Sequence, residues 1–164
     1  MEEQKPRVAI VGFGNLLLKD EGVGIHVIKA LQAMVWPRDG GIEIIDGGTS
    51  TDILSGLTVL DKLVIVDAAA GGGEAGSVYR FGPEEVAEQE MVTSLHQNSL
   101  SMSLKTMKYV GLEPKEVVII GVEPAEIDWG LKLSLSIQNK LPRIVEIVLR
   151  EAGIVPQNLQ TVGS

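Results

Sequence analysis

The stretch "GFGNLLLKDEGVG", residues 12–24, decides how this sequence folds. It follows the apolar run "RVAIV" and precedes the amphipathic run "IHVIKALQAMV", so it joins a predicted strand to a predicted helix. Glycine-rich turns in this position commonly bind phosphate at the helix N-terminus. Here two adjacent acids, Asp20 and Glu21, stand where a phosphate would sit, which raises the question of what the turn binds instead.

Five runs have the composition of strands, and three of them are apolar almost throughout, as expected for parallel strands buried on both faces. They cover residues 7–14, 42–46, 63–69, 77–81 and 117–123. The run "SVYRF" at 77–81 is shorter and more polar, which is typical of an edge strand. The alternation with helical patterns predicts a single three-layer α/β/α domain over residues 1–164, with a twisted, mainly parallel five-stranded sheet and one antiparallel edge strand.

The helical patterns lie at about residues 20–35, 97–110 and 134–152, and a short helix is expected after Thr49. The first should stop before Trp36 and Pro37, and Pro142 should kink or restart the last. The stretch "AAAGGGEAGS" at 68–77 is predicted to be a flexible loop, and the tail 155–164 is also expected to be flexible.

The composition of the chain argues against cysteine chemistry, nucleic-acid binding and membrane insertion. The 164 residues carry a formal net charge of −8 and have no cysteine, which excludes disulfides, thiolate nucleophiles and cysteine-based metal sites. An acidic chain without a basic stripe is a poor partner for nucleic acid or anionic membranes. No apolar run approaches the ~20 residues of a membrane span, and the N-terminus "MEEQKPR" has no signal-peptide pattern. We therefore expect a cytoplasmic location.

Acidic side chains follow the predicted strands. Asp46 and Asp67 end two of them, Asp20 and Glu21 follow the first, and His96 precedes a helix. Ligands of open α/β sheets bind at the carboxyl ends of the strands, so Glu21, Asp67 and His96 are expected to converge there. Two carboxylates and an imidazole suit a divalent transition metal such as nickel or zinc, and they equally suit general acid–base chemistry.

The same residues also have structural explanations. An acid after a buried strand often binds a loop amide, which is the favoured interpretation of Asp46 in "DGGTS". Asp20 can be explained as the N-cap of the first helix, and His96 as a cap of a later one. His26 lies inside a helical pattern and is interpreted as a packing or surface residue. Other motifs are missing: position 17 is Leu17 where a dinucleotide fingerprint needs glycine, and GxxxxGK[ST], GxSxG and HExxH do not occur.

Five motifs in order resemble the hydrogenase maturation endopeptidases, the nickel-dependent proteases that process [NiFe] hydrogenase large subunits. They are "VGFGNLLLKDEGVGIHV", "IIDGGT", "LVIVDAA", "HQNSL" and "GVEP", and they extend from Val8 through most of the chain. The first contains G-x-G-N-x-L-x-x-D-[DE]-G-x-G, which is the most specific of them. Glu21 stands where some members have Asp, and both are carboxylates.

The resemblance implies a metal site formed by Glu21, Asp67 and His96, with Asp20 and Asp46 as candidate catalytic assistants. It implies an endopeptidase, often grouped with the aspartic type, that removes the C-terminal extension of a large-subunit precursor after nickel insertion. The nickel would be supplied by the substrate, and cadmium or zinc would act as surrogates. The hypothesis for the opening question is that Glu21 binds a cation where a dinucleotide-binding loop binds an anion.

Two alternatives remain at this level. One is a non-proteolytic nickel-binding or nucleotide-binding α/β module. The other is an enzyme like peptidyl-tRNA hydrolase, which also opens with a strand and a G-x-G-N turn. That family continues with Pro-Gly after the Asn, whereas Leu16 and Leu17 follow Asn15 here, and a net charge of −8 disfavours tRNA.

Overall fold

The computed structural model describes residues 6–37, 40–88, 93–94, 96–155 and 160–161. Its helices are α1 (Val23–Gln32), α2 (Pro83–Glu88), α3 (Gln97–Tyr109) and α4 (Leu135–Glu151), and 3₁₀ turns span Lys19–Gly22 and Thr51–Gly56. Its strands are β1 (Val8–Phe13), β2 (Met34–Val35), β3 (Ile42–Gly48), β4 (Lys62–Ala70), β5 (Val78–Phe81), β6 (Thr93–Ser94), β7 (Glu116–Val122) and β8 (Gln160–Thr161).

The main sheet has the strand order β3-β1-β4-β7-β5. The first four of these strands are parallel, and β5 pairs antiparallel with β7 at one edge. The predicted sheet, mainly parallel with one antiparallel edge strand at 77–81, is therefore confirmed. The short strand β6 pairs antiparallel with the end of β4 and was not predicted.

Helices cover both faces of the sheet, because the central strands are apolar on both sides. One core contains Ile10, Val64 and Val66 under α1 and α4. The other contains Val11, Ile65 and Leu100, where α3 and the 3₁₀ turn at Thr51–Gly56 pack. Alternate residues of the same strands enter opposite cores, which explains why these strands lack an apolar–polar alternation. The predicted three-layer arrangement is confirmed.

The winding of the sheet changes direction beside β1. The chain leaves β1 through α1 to β3 on one side, and then crosses through the 3₁₀ turn Thr51–Gly56 to β4 on the other side. Such a switch point leaves a crevice outside the carboxyl ends of the neighbouring strands, where ligands of this fold class bind. The glycine-rich loop after β1 and Asp67 near the end of β4 both lie at this position.

The predicted first helix was too long at both ends. Residues 19–22 form a 3₁₀ turn, α1 stops at Gln32, and Met34–Val35 pair with Gln160–Thr161 as strands. The indole Nε1 of Trp36 donates a hydrogen bond of 2.7 Å to the carbonyl of Leu31, so the chain turns back onto the last turn of the helix. This bond satisfies a carbonyl that a longer helix would have used internally.

The last helix was predicted to kink or restart at Pro142, and the structure instead has one helix, Leu135–Glu151, with Pro142 inside it. Of the tail predicted to be flexible, Val155 and the paired residues Gln160–Thr161 are described, and the rest lies outside the described residues. No helix in the described part of the chain is long and apolar enough to cross a bilayer.

The loop after β1 is tight, and its glycines are required by contact distances. A Cβ at Gly12 would lie 2.3 Å from the carbonyl oxygen of Gly24, and a Cβ at Gly14 would lie 2.3 Å from that of Glu21. Gly14 also has a φ of 152°, which L-residues rarely adopt. The side-chain oxygen of Asn15 accepts the N–H of Leu17 at 2.9 Å, so Asn15 helps to order the turn.

We expect Gly14→Ala to lower the free energy of unfolding by about 1–3 kcal/mol, the cost of a strained backbone position, and to displace Glu21. Gly56→Ala is the matched control, because a Cβ there meets nothing within 4 Å. Urea unfolding of both variants measures the effect. Equal stability of Gly14→Ala and the parent would contradict this account of the loop.

Candidate active site

Asp67 is a buried acid near the end of the central strand β4. Its side chain is 1% exposed, and its Oδ1 accepts the backbone N–H of Ala68 at 2.9 Å. It pairs in register with Gly121 of β7. A carboxylate in this position loses most of its hydration, so it must be compensated by neighbouring donors or charges.

His96 supplies that compensation. Its Nδ1 lies 2.9 Å from Oδ2 of Asp67, its side chain is 12% exposed, and its ring centroid lies 6.1 Å from that of Phe13. His96 occupies the N-cap position of α3, but its side chain makes no capping hydrogen bond. The cap interpretation therefore does not account for the imidazole, which is directed to Asp67. The bond to Asp67 fixes the orientation of the ring.

Glu21 joins this pair electrostatically from the 3₁₀ turn Lys19–Gly22. Partial burial raises the pKa of the Glu21 carboxyl, the charge of His96 opposes that increase, and the charge of Asp67 adds to it. The hydrogen bond that His96 makes to the carboxylate of Asp67 raises the pKa of His96 against the effect of burial, and the charges of Asp67 and Glu21 raise it further. Of the three residues predicted to converge, Glu21 and His96 thus have pKa values shifted by their neighbours, as groups at functional sites often do.

The arrangement has the donor types of a transition-metal site but is not a preformed one. Within the described residues, no three His, Cys, Asp or Glu side chains are grouped closely enough to hold a metal ion as they stand. The hydrogen bond between Asp67 and His96 joins two of the three predicted ligands to each other. The chemistry of the donor set fits nickel or zinc, whereas the side-chain geometry is that of a hydrogen-bonded acid–imidazole pair.

Asp20 has a different role from the predicted N-cap. The N-cap of α1 is Gly22, and Asp20 is fully buried with four donors around its carboxylate. It accepts the backbone N–H groups of Ala125 at 2.9 Å, Glu126 at 2.8 Å and Ser134 at 2.8 Å, and also the hydroxyl of Ser134 at 2.7 Å. The carboxylate of Asp20 thus links the glycine-rich loop to the segment 125–134 before α4 by hydrogen bonds.

Asp46 and His26 have local contacts. The exposed Asp46 accepts the N–H of Gly48 at 2.9 Å, which is the loop-amide contact predicted for it. His26 lies half-buried on α1, and its Nε2 is buried without a hydrogen-bond partner among the described residues. Burial lowers the pKa of His26, the charge of Lys29 adds to this, and Asp20 opposes it.

One buried acid at this edge of the sheet, Glu123, was not predicted from the sequence. Its carboxylate accepts the N–H of Gly71 at 3.0 Å and of Gly72 at 2.9 Å, directly after β4. The backbone of Glu123 also forms hydrogen bonds with Gly76 and Ser77. The loop 68–77, which was predicted to be flexible, is therefore hydrogen-bonded to Glu123 at two places along its length. The available signal was that Glu123 ends the predicted strand 117–123, which parallel pairing brings to the same edge of the sheet as Asp67.

The fold and site together define an α/β protein with two carboxylates and an imidazole, Glu21, Asp67 and His96, near the carboxyl ends of its central strands. Comparison with known proteins makes this more specific. A family model described as hydrogenase maturation protease matches residues 25–151, a range that includes Asp67 and His96 and begins after Glu21. The chain belongs to the hydrogenase maturation protease family, and members of this family are peptidases.

Individual relatives agree with this assignment. The chain is 31% identical over 154 residues to the hydrogenase 2 maturation protease of Escherichia coli, covering 90% of this chain and 93% of that protein. It is 32% identical over 148 residues to the hydrogenase expression/formation protein HupD of Thiocapsa roseopersicina, covering 88% of this chain but 66% of that longer protein. The structure of the hydrogenase maturating endopeptidase HybD from E. coli matches with a TM-score of 0.76 and 27% identity, over 95% of this chain and 96% of that one.

The two histidines of the chain should titrate on opposite sides of the ordinary imidazole value. His96 should have a raised pKa because Asp67 bonds to it, and His26 a lowered one because burial disfavours its charge. Asp67→Asn removes the charged acceptor, so the pKa of His96 should fall and that of His26 should stay. NMR titration of the ring protons measures both, with His26→Gln and His96→Gln for assignment. An equal pKa of His96 in the parent and in Asp67→Asn would contradict the hydrogen bond between the two residues.

Asp20 should matter for stability. Asp20→Ala leaves buried donors without an acceptor, at about 1–3 kcal/mol for each unsatisfied group, so we expect the free energy of unfolding to fall by at least ~3 kcal/mol. Asp46→Ala is the control, because that exposed carboxylate accepts one loop amide. Chemical denaturation of both variants gives the comparison. Similar losses for the two would show that the hydrogen bonds of Asp20 are not the main anchor of this loop.

Proposed function

We propose that this chain removes the C-terminal extension of a [NiFe] hydrogenase large-subunit precursor after nickel insertion, and that it recognises the nickel carried by that substrate. The observation that carries the proposal is the Asp67–His96 pair, coupled to Glu21 at the switch point of the sheet. Family membership supports the proteolytic role, and the E. coli structure that it resembles is of a hydrogenase maturating endopeptidase. We also propose that the reaction takes place in the cytoplasm.

Nickel fits here as part of the substrate. Two carboxylates and one imidazole leave coordination positions open, and the chain has no cysteine to hold the ion tightly by itself. Other ligands must therefore come from the molecule that brings the metal. A nickel ion already bound in the precursor satisfies this requirement, so recognition of the metal and of the peptide would occur together. Cadmium or zinc would be surrogates in binding experiments.

In this proposal Glu21, Asp67 and His96 contact the nickel and fix the scissile peptide in the crevice, which is a positioning effect. Bound metal supplies Lewis-acid polarisation of a carbonyl. Asp67 holds Nδ1 of His96 and thereby sets the orientation of the imidazole. The four hydrogen bonds to the buried carboxylate of Asp20 support a structural role for it, so we assign the chemistry to Glu21, Asp67 and His96.

Glu21 has a second possible assignment, as the base that activates water. Burial raises the pKa of Glu21, which makes the carboxylate a better proton acceptor. A ligand and a base are separable by experiment. If Glu21 is a metal ligand, Glu21→Gln weakens binding of the loaded precursor, and if Glu21 is the base, the variant binds the precursor but cuts it slowly.

The decisive test is a side-by-side digestion of nickel-loaded and nickel-free precursor by metal-free enzyme, with mass spectrometry of the C-terminus. We expect only the loaded precursor to be cut. Glu21→Gln should reduce the rate by about 10²–10⁴-fold, the usual loss for a proton-transfer group, while the exposed Glu84→Gln should cut at the parent rate.

Each other result has a definite meaning. Equal cleavage of both precursors would refute nickel as the recognition element. Binding of the loaded precursor without cleavage would indicate a nickel-binding module in place of a protease. Hydrolysis of peptidyl-tRNA to free peptide and tRNA, with no action on either precursor, would favour the tRNA hydrolase alternative.

A further inference from the structure

Four large apolar side chains are exposed on the two segments that Asp20 joins. They are Leu17 at 51%, Ile127 at 49%, Trp129 at 76% and Leu131 at 67% exposure, and we refer to them as the Trp129 face. Single exposed apolar residues are common, but a group of them on adjoining segments is typical of a binding surface. Tryptophan is also the residue type most enriched among the anchors of protein interfaces.

Backbone bonds join these segments. The N–H of Gly130 donates to the carbonyl of Leu17 at 2.9 Å, and the N–H of Lys19 donates to the carbonyl of Gly130 at 3.0 Å. The side chains of Lys19 and Glu126 form an ion pair at 2.8 Å beside them. The buried carboxylate of Asp20 adds its bonds to the same segment. The Trp129 face is therefore held in a defined position, so docking on it requires little ordering of the chain.

The Trp129 face is continuous with the proposed active site along the chain. Leu17 and Glu21 are four residues apart within one loop, and the carbonyl of Leu18 accepts the N–H of Glu21 at 3.2 Å. Four residues reach at most about 14 Å even when fully extended. An extended peptide advances roughly 3.3 Å per residue. A substrate with its scissile bond at Glu21 therefore places side chains about four residues away within reach of the Trp129 face.

We infer that the Trp129 face docks an apolar segment of the precursor that lies close in sequence to the scissile bond, with Trp129 as its main anchor. This inference rests on the proposed function. The charged groups beside the face are two lysines and two acids, so their charges balance, and one lysine pairs with one acid; they are Lys19, Lys132, Glu126 and Asp128. The partner segment is therefore selected by aliphatic or aromatic side chains more than by charge. Trp129 acts on substrate binding, whereas Glu21, Asp67 and His96 act on the peptide bond.

The test compares Trp129→Ala with Tyr109→Ala, an aromatic control that is 92% exposed at the end of α3. Loss of an interface anchor typically weakens binding by tenfold or more. We expect Trp129→Ala to raise KM for nickel-loaded precursor at least ~10-fold with kcat within about twofold, because uniform binding is lost. Tyr109→Ala should match the parent. Calorimetric titration of the precursor into Glu21→Gln, with and without Trp129→Ala, measures the same loss without turnover.

Leu131→Ser, at a second position of the face, repeats the test if Trp129→Ala is poorly folded, as judged by circular dichroism. Unchanged KM and Kd in a folded variant, with normal cleavage by the parent, would overturn the docking assignment alone. If the parent cuts no precursor, the proposed function fails and the docking role fails with it. A parent dimer in light scattering that Trp129→Ala converts to a monomer would assign the face to a second copy of the chain.

Discussion

The buried carboxylate of Asp20 is the contact on which the geometry of the site depends. Four donors surround it, three of them backbone N–H groups from a segment more than 100 residues away in the sequence. Hydrogen bonds to an ionised acceptor are shorter and stronger than neutral ones. Desolvation of this carboxylate is therefore compensated by loop amides that would otherwise need water. Together with the backbone bonds of Leu17 and Lys19 to Gly130, this side chain fixes the glycine-rich loop to the segment before α4.

The adjacent acids Asp20 and Glu21 have opposite environments because they lie in a 3₁₀ turn. Three residues per turn separate successive side chains by about 120°, so one acid can be fully buried while its neighbour remains partly exposed. Asp20 faces the loop amides, and Glu21 lies within the electrostatic influence of Asp67 and His96. If the helix began at Asp20, that residue would be its N-cap, and Glu21 would interact mainly with the helix macrodipole. The short turn gives one structural acid and one acid available for chemistry.

The positions of the central strands along the chain and their parallel type could be predicted because their residues alternate between two apolar cores and leave no polar face. The glycine-rich turn predicted a site after the first strand, because ligands of open α/β sheets bind at the carboxyl ends of the strands. Long-range polar contacts could not be predicted: Asp20 bonds to residues 105 to 114 positions away, and Glu123 to residues about 50 positions away. No local pattern marks such partners. The pairing of Met34–Val35 with Gln160–Thr161 was missed because two-residue strands have no periodicity.

Electrostatics explains how the fold tolerates two acids in this crevice. A protonated His96 offsets the charge of one carboxylate, and the raised pKa of His96 favours its protonated form. In the proposed function, the divalent cation of the substrate would replace the imidazole proton and offset the charges of both carboxylates. Under this proposal, protons and the nickel of the substrate therefore compete for the imidazole of His96, while the hydrogen bond between its Nδ1 and Asp67 sets the orientation of the ring.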